Sequence, residues 1–141
     1  VTLEKEVSTN CPTLSYAIVS PDDAAQLGRE FLRIHEESEE YMYMVCVNTK
    51  NKVLGVFEIS HGTVNSSLVS AREVFQKALL ANAVSIILMH NHPSGDCTPS
   101  REDIQVTKRL VDAGNILGVQ VLDHIIIGDS FCSLKEKGYL K

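Results

Sequence analysis

The sequence predicts a three-layer α/β/α domain, in which helices cover both faces of a central mixed sheet. Segments with helical hydrophobic spacing alternate with short β-rich runs, in the order helix, strand, strand, helix, strand, helix, strand. One run, VSIILM at residues 84–89, is almost wholly apolar, as is typical of a strand covered on both faces. Elements of these two kinds bury their apolar surfaces when the sheet lies between helical layers.

The first helix is predicted from Ser20 to about Ser38. Ser20 fits a helix cap, Pro21 the first helical position and Asp23 the acidic position of a capping box. Apolar residues follow at helical spacing, namely Ala24, Leu27, Phe31 and Ile34. Residues 41–48 and 52–60 are β-rich runs around the turn-like NTKNK, so they predict a hairpin.

The second half of the chain repeats this helix and strand pattern. Ser70 and Glu73 form another capping-box pattern, which predicts a helix through residues 70–83. A third helix is expected from about Ser100 to Gly118, a glycine that suits a C-terminal stop. Residues 119–128 predict a strand, and FCSLKEKGYLK predicts a short terminal element.

Length and composition indicate one ordinary globular domain. The 141 residues suffice for a single core, with residues 1–19 expected as a lead-in and residues 20–141 as the domain. The chain has no run of 18 apolar residues and no signal-peptide pattern at its start, so a cytoplasmic location is expected. Thirteen Lys and Arg against eighteen Asp and Glu give a net charge of −5, which disfavours direct DNA binding.

The four cysteines are far apart in the sequence and form no CxxC pair: Cys11, Cys46, Cys97 and Cys132. Without an export signal, free thiols are expected rather than disulfides. Cys97 lies in a loop rich in polar residues, but no base with a suitable orienting partner is evident for it. A catalytic thiol is therefore disfavoured.

The stretch HNHPSGDCTPSRED, residues 90–103, carries the clearest chemical signal. Alternate side chains of a strand share a face, so His90 and His92 point to the same side at the end of the predicted buried strand. The Pro- and Gly-containing loop turns the chain back to a helix whose first turn holds Asp103. Two imidazoles and one carboxylate would leave a fourth position for water on a zinc ion, which is the geometry of a catalytic site.

Each part of this stretch also has a purely structural interpretation. SRED is itself a capping box, in which Asp103 would serve only the start of the helix. An isolated HxH pair is a weak metal signal, and the Pro and Gly residues are ordinary turn residues. These interpretations explain the parts separately, but they explain their combination in one stretch poorly.

The spacing of His90, His92, Ser100 and Asp103 is similar to the HxHx7SxxD motif of the JAMM (MPN+) metalloproteases. Beyond the motif, residues 20–140 resemble the JAB domain of the bacterial RadC family, in HNHPSGDCTPSREDIQVTKRL, LDHIIIG and SAREVFQKAL. The contiguous HNH letters match the HNH nucleases only in spelling. The full H-x-E…P-C-x-x-C signature of the zinc nucleobase deaminases is not found, because the sequence contains no P-C-x-x-C.

The resemblance implies a JAB/MPN-like fold, layered like cytidine deaminase, with Zn²⁺ held by His90, His92 and Asp103. It also implies an upstream glutamate as general base, for which Glu40 fits best and Glu58 is the main rival. Ser100 would stabilise the oxyanion as well as cap its helix. Asp123 and His124 belong to a RadC-like segment, and either a structural role or a place near the metal or the substrate cleft is open for them.

The function implied by the resemblance is hydrolysis of a peptide or isopeptide bond, with a protein, peptide or ubiquitin-like tail as substrate. An alternative is a non-catalytic metal-binding module that binds a protein partner in DNA repair or recombination. The family name also suggests a DNA-processing hydrolase. Longer family members carry an N-terminal helix-hairpin-helix segment that this chain is expected to lack, which together with the acidic charge disfavours that third possibility.

Overall fold

A computed structural model describes residues 16–62 and 69–140. Residues 1–15 of the expected lead-in 1–19, which include Cys11, lie outside the described residues, as do residues 63–68 and 141. Among the described helices, none is both long and apolar enough to cross a membrane.

A five-stranded sheet forms the centre of the fold. The strands are β1 (Tyr41–Val47), β2 (Val53–His61), β3 (Ser85–Asn91), β4 (Gln120–Ile127) and β5 (Phe131–Ser133). Their order in the sheet is β2-β1-β3-β4-β5. The β3–β4 pair is parallel and the other pairs are antiparallel, so the predicted mixed sheet is confirmed, as is the hairpin of β1 and β2.

The helices cover both faces of this sheet. They are α1 (Pro21–Gln26), α2 (Ala71–Leu80) and α3 (Arg101–Leu117). One buried apolar cluster joins α2 and α3 to the side chains of Met42, Met44, Ile86 and Leu88. A second cluster joins the α1 region to Tyr43, Val45, Ile87 and Met89, which are the alternate residues of the same strands. The predicted three-layer α/β/α architecture is therefore confirmed.

The first helix is shorter and less regular than the predicted span to Ser38. After α1 the chain forms a π-helical turn at Leu27–Phe31, and then a 3-10 turn at Ile34–Glu36. Gly28 packs so close to the sheet that a Cβ atom there would lie 2.5 Å from the Met89 sulfur. Arg33 has a φ of 53°, a left-handed conformation that ends a right-handed helix. Hydrophobic spacing alone did not reveal this break.

The expectation of free thiols is wrong for two of the cysteines. Cys97 and Cys132 form a disulfide, with Cα atoms 5.7 Å apart. Cys97 lies in the loop before α3 and Cys132 in β5, so the pair links two segments that are 35 residues apart in sequence. The pairing depends on how β5 packs beside β4, which sequence spacing does not show. Cys46 is a free, buried thiol.

Candidate metal centre

His90 lies near the end of the central strand β3, at the point where the strand meets α3. It is fully buried and pairs with Met42 of β1, so its side chain lies on the face covered by α2 and α3. The next residue, Asn91, accepts a hydrogen bond from the Tyr41 backbone N–H at 2.7 Å. Its side-chain amide also donates to the Glu39 carbonyl at 2.9 Å. Asn91 thereby holds the backbone on both sides of Glu40 beside β3, a role that the sequence analysis missed.

The loop after β3 returns His92 to the same site. The His92 backbone N–H donates to the Ile127 carbonyl at 2.9 Å, which keeps the loop beside β4. Gly95 has a φ of 93°, and its carbonyl accepts from the Asp129 backbone N–H at 2.7 Å. The Asp96 carbonyl lies 2.8 Å from His92 Nδ1. Because a carbonyl can only accept, Nδ1 donates to it, and in the neutral ring the lone pair of Nε2 therefore points into the site. When the ring is protonated, Nε2 donates to Asp103 Oδ2 instead.

Three side chains converge at this point. His90 Nε2 lies 3.0 Å from His92 Nε2 and 3.0 Å from Asp103 Oδ1. His92 Nε2 lies 3.1 Å from Asp103 Oδ2. Two donor atoms bound at 2.0–2.1 Å to one tetrahedral zinc ion would be about 3.3 Å apart. The observed spacing of the three groups therefore fits a single small divalent ion, and the donor set suits zinc.

The charges of this polar cluster, which consists of His90, His92 and Asp103, also favour the binding of a cation. Burial pushes the pKa of Asp103 up, but its contacts with His90, His92 and the Ser100 amide outweigh burial and hold that pKa well below its usual range. The carboxylate is therefore ionised in the folded chain. In turn, its hydrogen bond raises the pKa of His92 above the ordinary value, against the opposing effect of partial burial.

Glu40 and its rival Glu58 lie in different environments, and Glu39, the neighbour of Glu40 in the sequence, lies in a third. Glu40, His90 and His92 each offer a ligand atom, and these atoms lie within 4.8 Å of one another. Glu39 turns away and contacts His61 Nε2 at 3.0 Å. Glu58 pairs with Tyr43, whose side chain packs on the α1 side of the sheet, opposite to His90. The geometry therefore favours Glu40 over its rival Glu58.

Ser100 lies at the start of α3, next to the Asp103 carboxylate. Its hydroxyl accepts from the Asp103 backbone N–H at 3.1 Å, and its own N–H donates to Asp103 Oδ2 at 2.8 Å. The capping box interpretation is therefore correct, with aspartate in the acidic position. Since the hydroxyl uses only an oxygen lone pair in this cap, its proton can still be donated to a substrate, and the two duties are compatible.

The two residues of the RadC-like segment face opposite sides of β4. His124 is fully buried, and its Nε2 lies 2.6 Å from His90 Nδ1, directly behind the cluster. Burial lowers the pKa of His124 well below 6.5, an effect to which the neighbouring His90 adds. His124 Nδ1 lies 2.6 Å from the hydroxyl of Thr107, a residue that the sequence analysis missed.

Asp123 does not reach the cluster. Its carboxylate accepts from the Ser133 hydroxyl at 2.5 Å and from the backbone N–H groups of His124 and Lys135. It lines a cavity of about 480 Å³ together with Ile87 and Ile125, on the α1 side of the sheet. Asp123 thus anchors the C-terminal turn to β4, which corresponds to the structural role among the alternatives left open for it.

The fold and the cluster together define an α/β domain with a candidate metal centre of two imidazoles and a carboxylate. The family model for the RadC-like JAB domain matches residues 18–139. The chain belongs to this family, as the resemblance implied.

Relatives of this chain are found among the UPF0758 proteins. One from Caldanaerobacter subterraneus is 55% identical over 126 residues, which cover 89% of this chain and 53% of the relative. One from Desulfitobacterium hafniense is 53% identical over 130 residues, 92% of this chain and 56% of the relative. One from Alkaliphilus metalliredigens is 48% identical over 141 residues, which cover 99% of this chain and 60% of the relative. The chain therefore spans a little over half the length of these relatives.

Proposed function

We propose that this domain is a zinc-dependent hydrolase of peptide or isopeptide bonds. The observation that carries the proposal is the convergence of His90, His92 and Asp103 within 3.0–3.1 Å, with the Glu40 carboxylate beside them. His90, His92 and Asp103 would hold the ion and leave one position open, as in catalytic zinc sites. A zinc ion held there supplies Lewis acidity and makes a nearby water acidic enough to react at neutral pH.

The side chains of this chain divide the remaining work. Glu40 accepts the proton of the attacking water at its carboxylate, and returns it to the nitrogen of the leaving amine. Ser100 donates its hydroxyl proton as a hydrogen bond to the oxyanion that develops on the scissile carbonyl. The rim beside Glu40 is formed by Ser38, Glu39, Gly62 and Pro93, which line a small open cavity. An extended protein segment or a ubiquitin-like tail is the substrate that we propose for this rim.

The matched variants Glu40→Gln and Glu58→Gln test the assigned base. Both remove one carboxylate while keeping its shape, and only Glu40 lies beside the imidazoles. With zinc-loaded protein and a fluorogenic peptide library, we expect Glu40→Gln to lower kcat by about 10²–10⁴-fold. Glu58→Gln should keep the wild-type rate. Full activity of Glu40→Gln would show that the base is a different group.

A second function, a non-catalytic metal-binding module for a protein partner, is favoured by one observation. Because Glu40 offers a ligand atom within 4.8 Å of both imidazoles, it could itself bind the ion. Four protein ligands would give the closed coordination of a structural site. In that case Glu40→Gln would weaken zinc binding strongly, and the wild-type protein would hydrolyse no peptide. A general base, in contrast, leaves zinc affinity nearly unchanged when it is replaced.

Three further expectations belong to the same proposal. Zinc is preferred over other borderline divalent ions, which two imidazoles and a carboxylate also accept, and metal analysis of the purified protein tests this preference. Association with DNA repair would be indirect, because the net charge of −5 offers no general attraction to DNA. The expected cytoplasmic location is tested by fractionation of the host cells.

A further inference from the structure

A chain of hydrogen bonds runs from the candidate metal centre into the core between α3 and β4. The Thr107 hydroxyl donates to the Asp103 carbonyl at 2.7 Å, one helical turn back along α3. The Thr107 oxygen also lies 2.6 Å from His124 Nδ1. His124 Nε2 lies in turn 2.6 Å from His90 Nδ1. All of these side chains are buried, with exposed fractions of 0–1%.

These hydrogen bonds can have only one donor-to-acceptor direction. The Asp103 carbonyl has no proton, so the single proton of the Thr107 hydroxyl is used in that bond. The Thr107 oxygen must then accept, which places a proton on His124 Nδ1. The His124 ring is fully buried and contacts the Thr107 hydroxyl and the His90 imidazole, neither of which supplies a negative charge to balance a second ring proton. The lone pair of His124 Nε2 therefore faces His90 Nδ1, which must be the donor.

From this direction we infer that Thr107 and His124 are positioning residues that keep the proton of His90 on Nδ1 and the lone pair of Nε2 on the metal side. The inference rests on the proposed function, because His90 needs a free lone pair on Nε2 in order to bind the metal. His92 is oriented in the same sense by a backbone carbonyl, that of Asp96. His90 has the buried imidazole of His124 in that place. Such partners of metal-bound histidines fix the tautomer and ring orientation and increase the basicity of the ligand.

Nitrogen-15 NMR of the metal-free wild-type chain tests the direction without any variant. Long-range couplings in the imidazole rings report which nitrogen carries a proton. We expect Nδ1 to be protonated in both His90 and His124, and Nε2 of His124 to be unprotonated. Protonation of His124 at Nε2 would overturn the inference.

The matched variants Thr107→Val and Thr107→Ser test the consequence for metal binding. Valine has the shape of threonine but cannot accept from His124 Nδ1, so His124 can turn its proton toward His90. We expect Thr107→Val to weaken zinc affinity by about 10–100-fold, the usual effect of losing such a partner. Thr107→Ser keeps the hydroxyl and should therefore retain the zinc affinity and the nitrogen-15 pattern of the wild type.

Val74→Ala controls for a general loss of stability, because it shortens a buried side chain of α2 that has no polar link to the cluster. It should lower the free energy of unfolding and leave zinc affinity unchanged. Wild-type zinc affinity in Thr107→Val would overturn the inference. If the wild-type chain bound no zinc, the proposed function would fail, and the NMR result on the metal-free chain would still decide the positioning role.

Discussion

At the scale of single residues, the Asp103 carboxylate serves both the cap of α3 and the candidate metal centre. It caps the first turn of α3 through the Ser100 N–H, and it contacts His90 and His92. These duties coexist because a carboxylate has two oxygens with about four acceptor positions. The structural interpretation of SRED as a capping box and its metal interpretation are therefore not exclusive. One side chain fits both.

The His92–Asp103 contact predicts a pH dependence of stability in the metal-free chain. Because the carboxylate raises the pKa of His92 in the folded state, the contact stabilises the fold fully below the unfolded pKa of about 6.5. That contribution is lost as the pH rises through the folded pKa. The loss of unfolding free energy in His92→Gln, measured with urea in the presence of a chelator, should be larger at pH 5.5 than at pH 8.5. The reverse order would contradict the contact.

At the scale of elements, the start of α3 combines a helix cap with the candidate site, and α2 provides a matched comparison. Ser70 caps α2 by accepting from the Glu73 N–H at 3.2 Å, as Ser100 caps α3 by accepting from the Asp103 N–H. Both Ser70→Ala and Ser100→Ala should lower the free energy of unfolding by about 1 kcal/mol. Only Ser100→Ala should also lower kcat, by about 10²–10³-fold, if its hydroxyl stabilises the oxyanion. Equal rates in the two variants would leave Ser100 with the cap alone.

The disulfide between Cys97 and Cys132 joins the loop before α3 to the edge strand β5. A cross-link over 35 residues restricts the unfolded chain and typically stabilises the folded state by about 2–4 kcal/mol. Reduction of the wild-type protein, or the double variant Cys97→Ser with Cys132→Ser, should lower the free energy of unfolding by that amount. A reductant should have no further effect on the double variant. Equal stability of the oxidised and reduced proteins would contradict a stabilising cross-link.

At the scale of the whole molecule, the candidate site joins three parts of the fold. Glu40 precedes β1, His90 lies near the end of β3 with His92 in the loop just after it, and Asp103 lies in the first turn of α3. A ligand that binds all three parts binds the folded state and not the unfolded one. Zinc at 100 times its Kd should therefore raise the free energy of unfolding by about 2.7 kcal/mol, as measured by urea denaturation.

Two controls accompany this measurement. A chelator should reverse the stabilisation of the wild-type chain. Asp103→Asn keeps the shape of the side chain but removes its charge, so its response to zinc should be much smaller. The same increase in the variant as in the wild type would mean that zinc binds elsewhere.

Much of the architecture could be predicted because its causes are local. Capping residues such as Ser70 and Ser100 satisfy N–H groups within their own first turn, and the apolar run of β3 is visible in six consecutive letters. The failure at the first helix has a cause outside that segment. Gly28 approaches Met89 of β3, and no pattern within residues 20–38 reports this contact.

By itself, the sequence determined the order of the elements, the pairing of two histidines on one face and the aspartate at the start of a helix, because each depends on a short repeat or a fixed spacing. Only the tertiary structure decided which glutamate lies beside the histidines, that His124 rather than Asp123 contacts His90, and that Cys97 meets Cys132. These contacts join segments far apart in the chain. Their distances depend on how the sheet and the helices pack, which spacing along the sequence does not report.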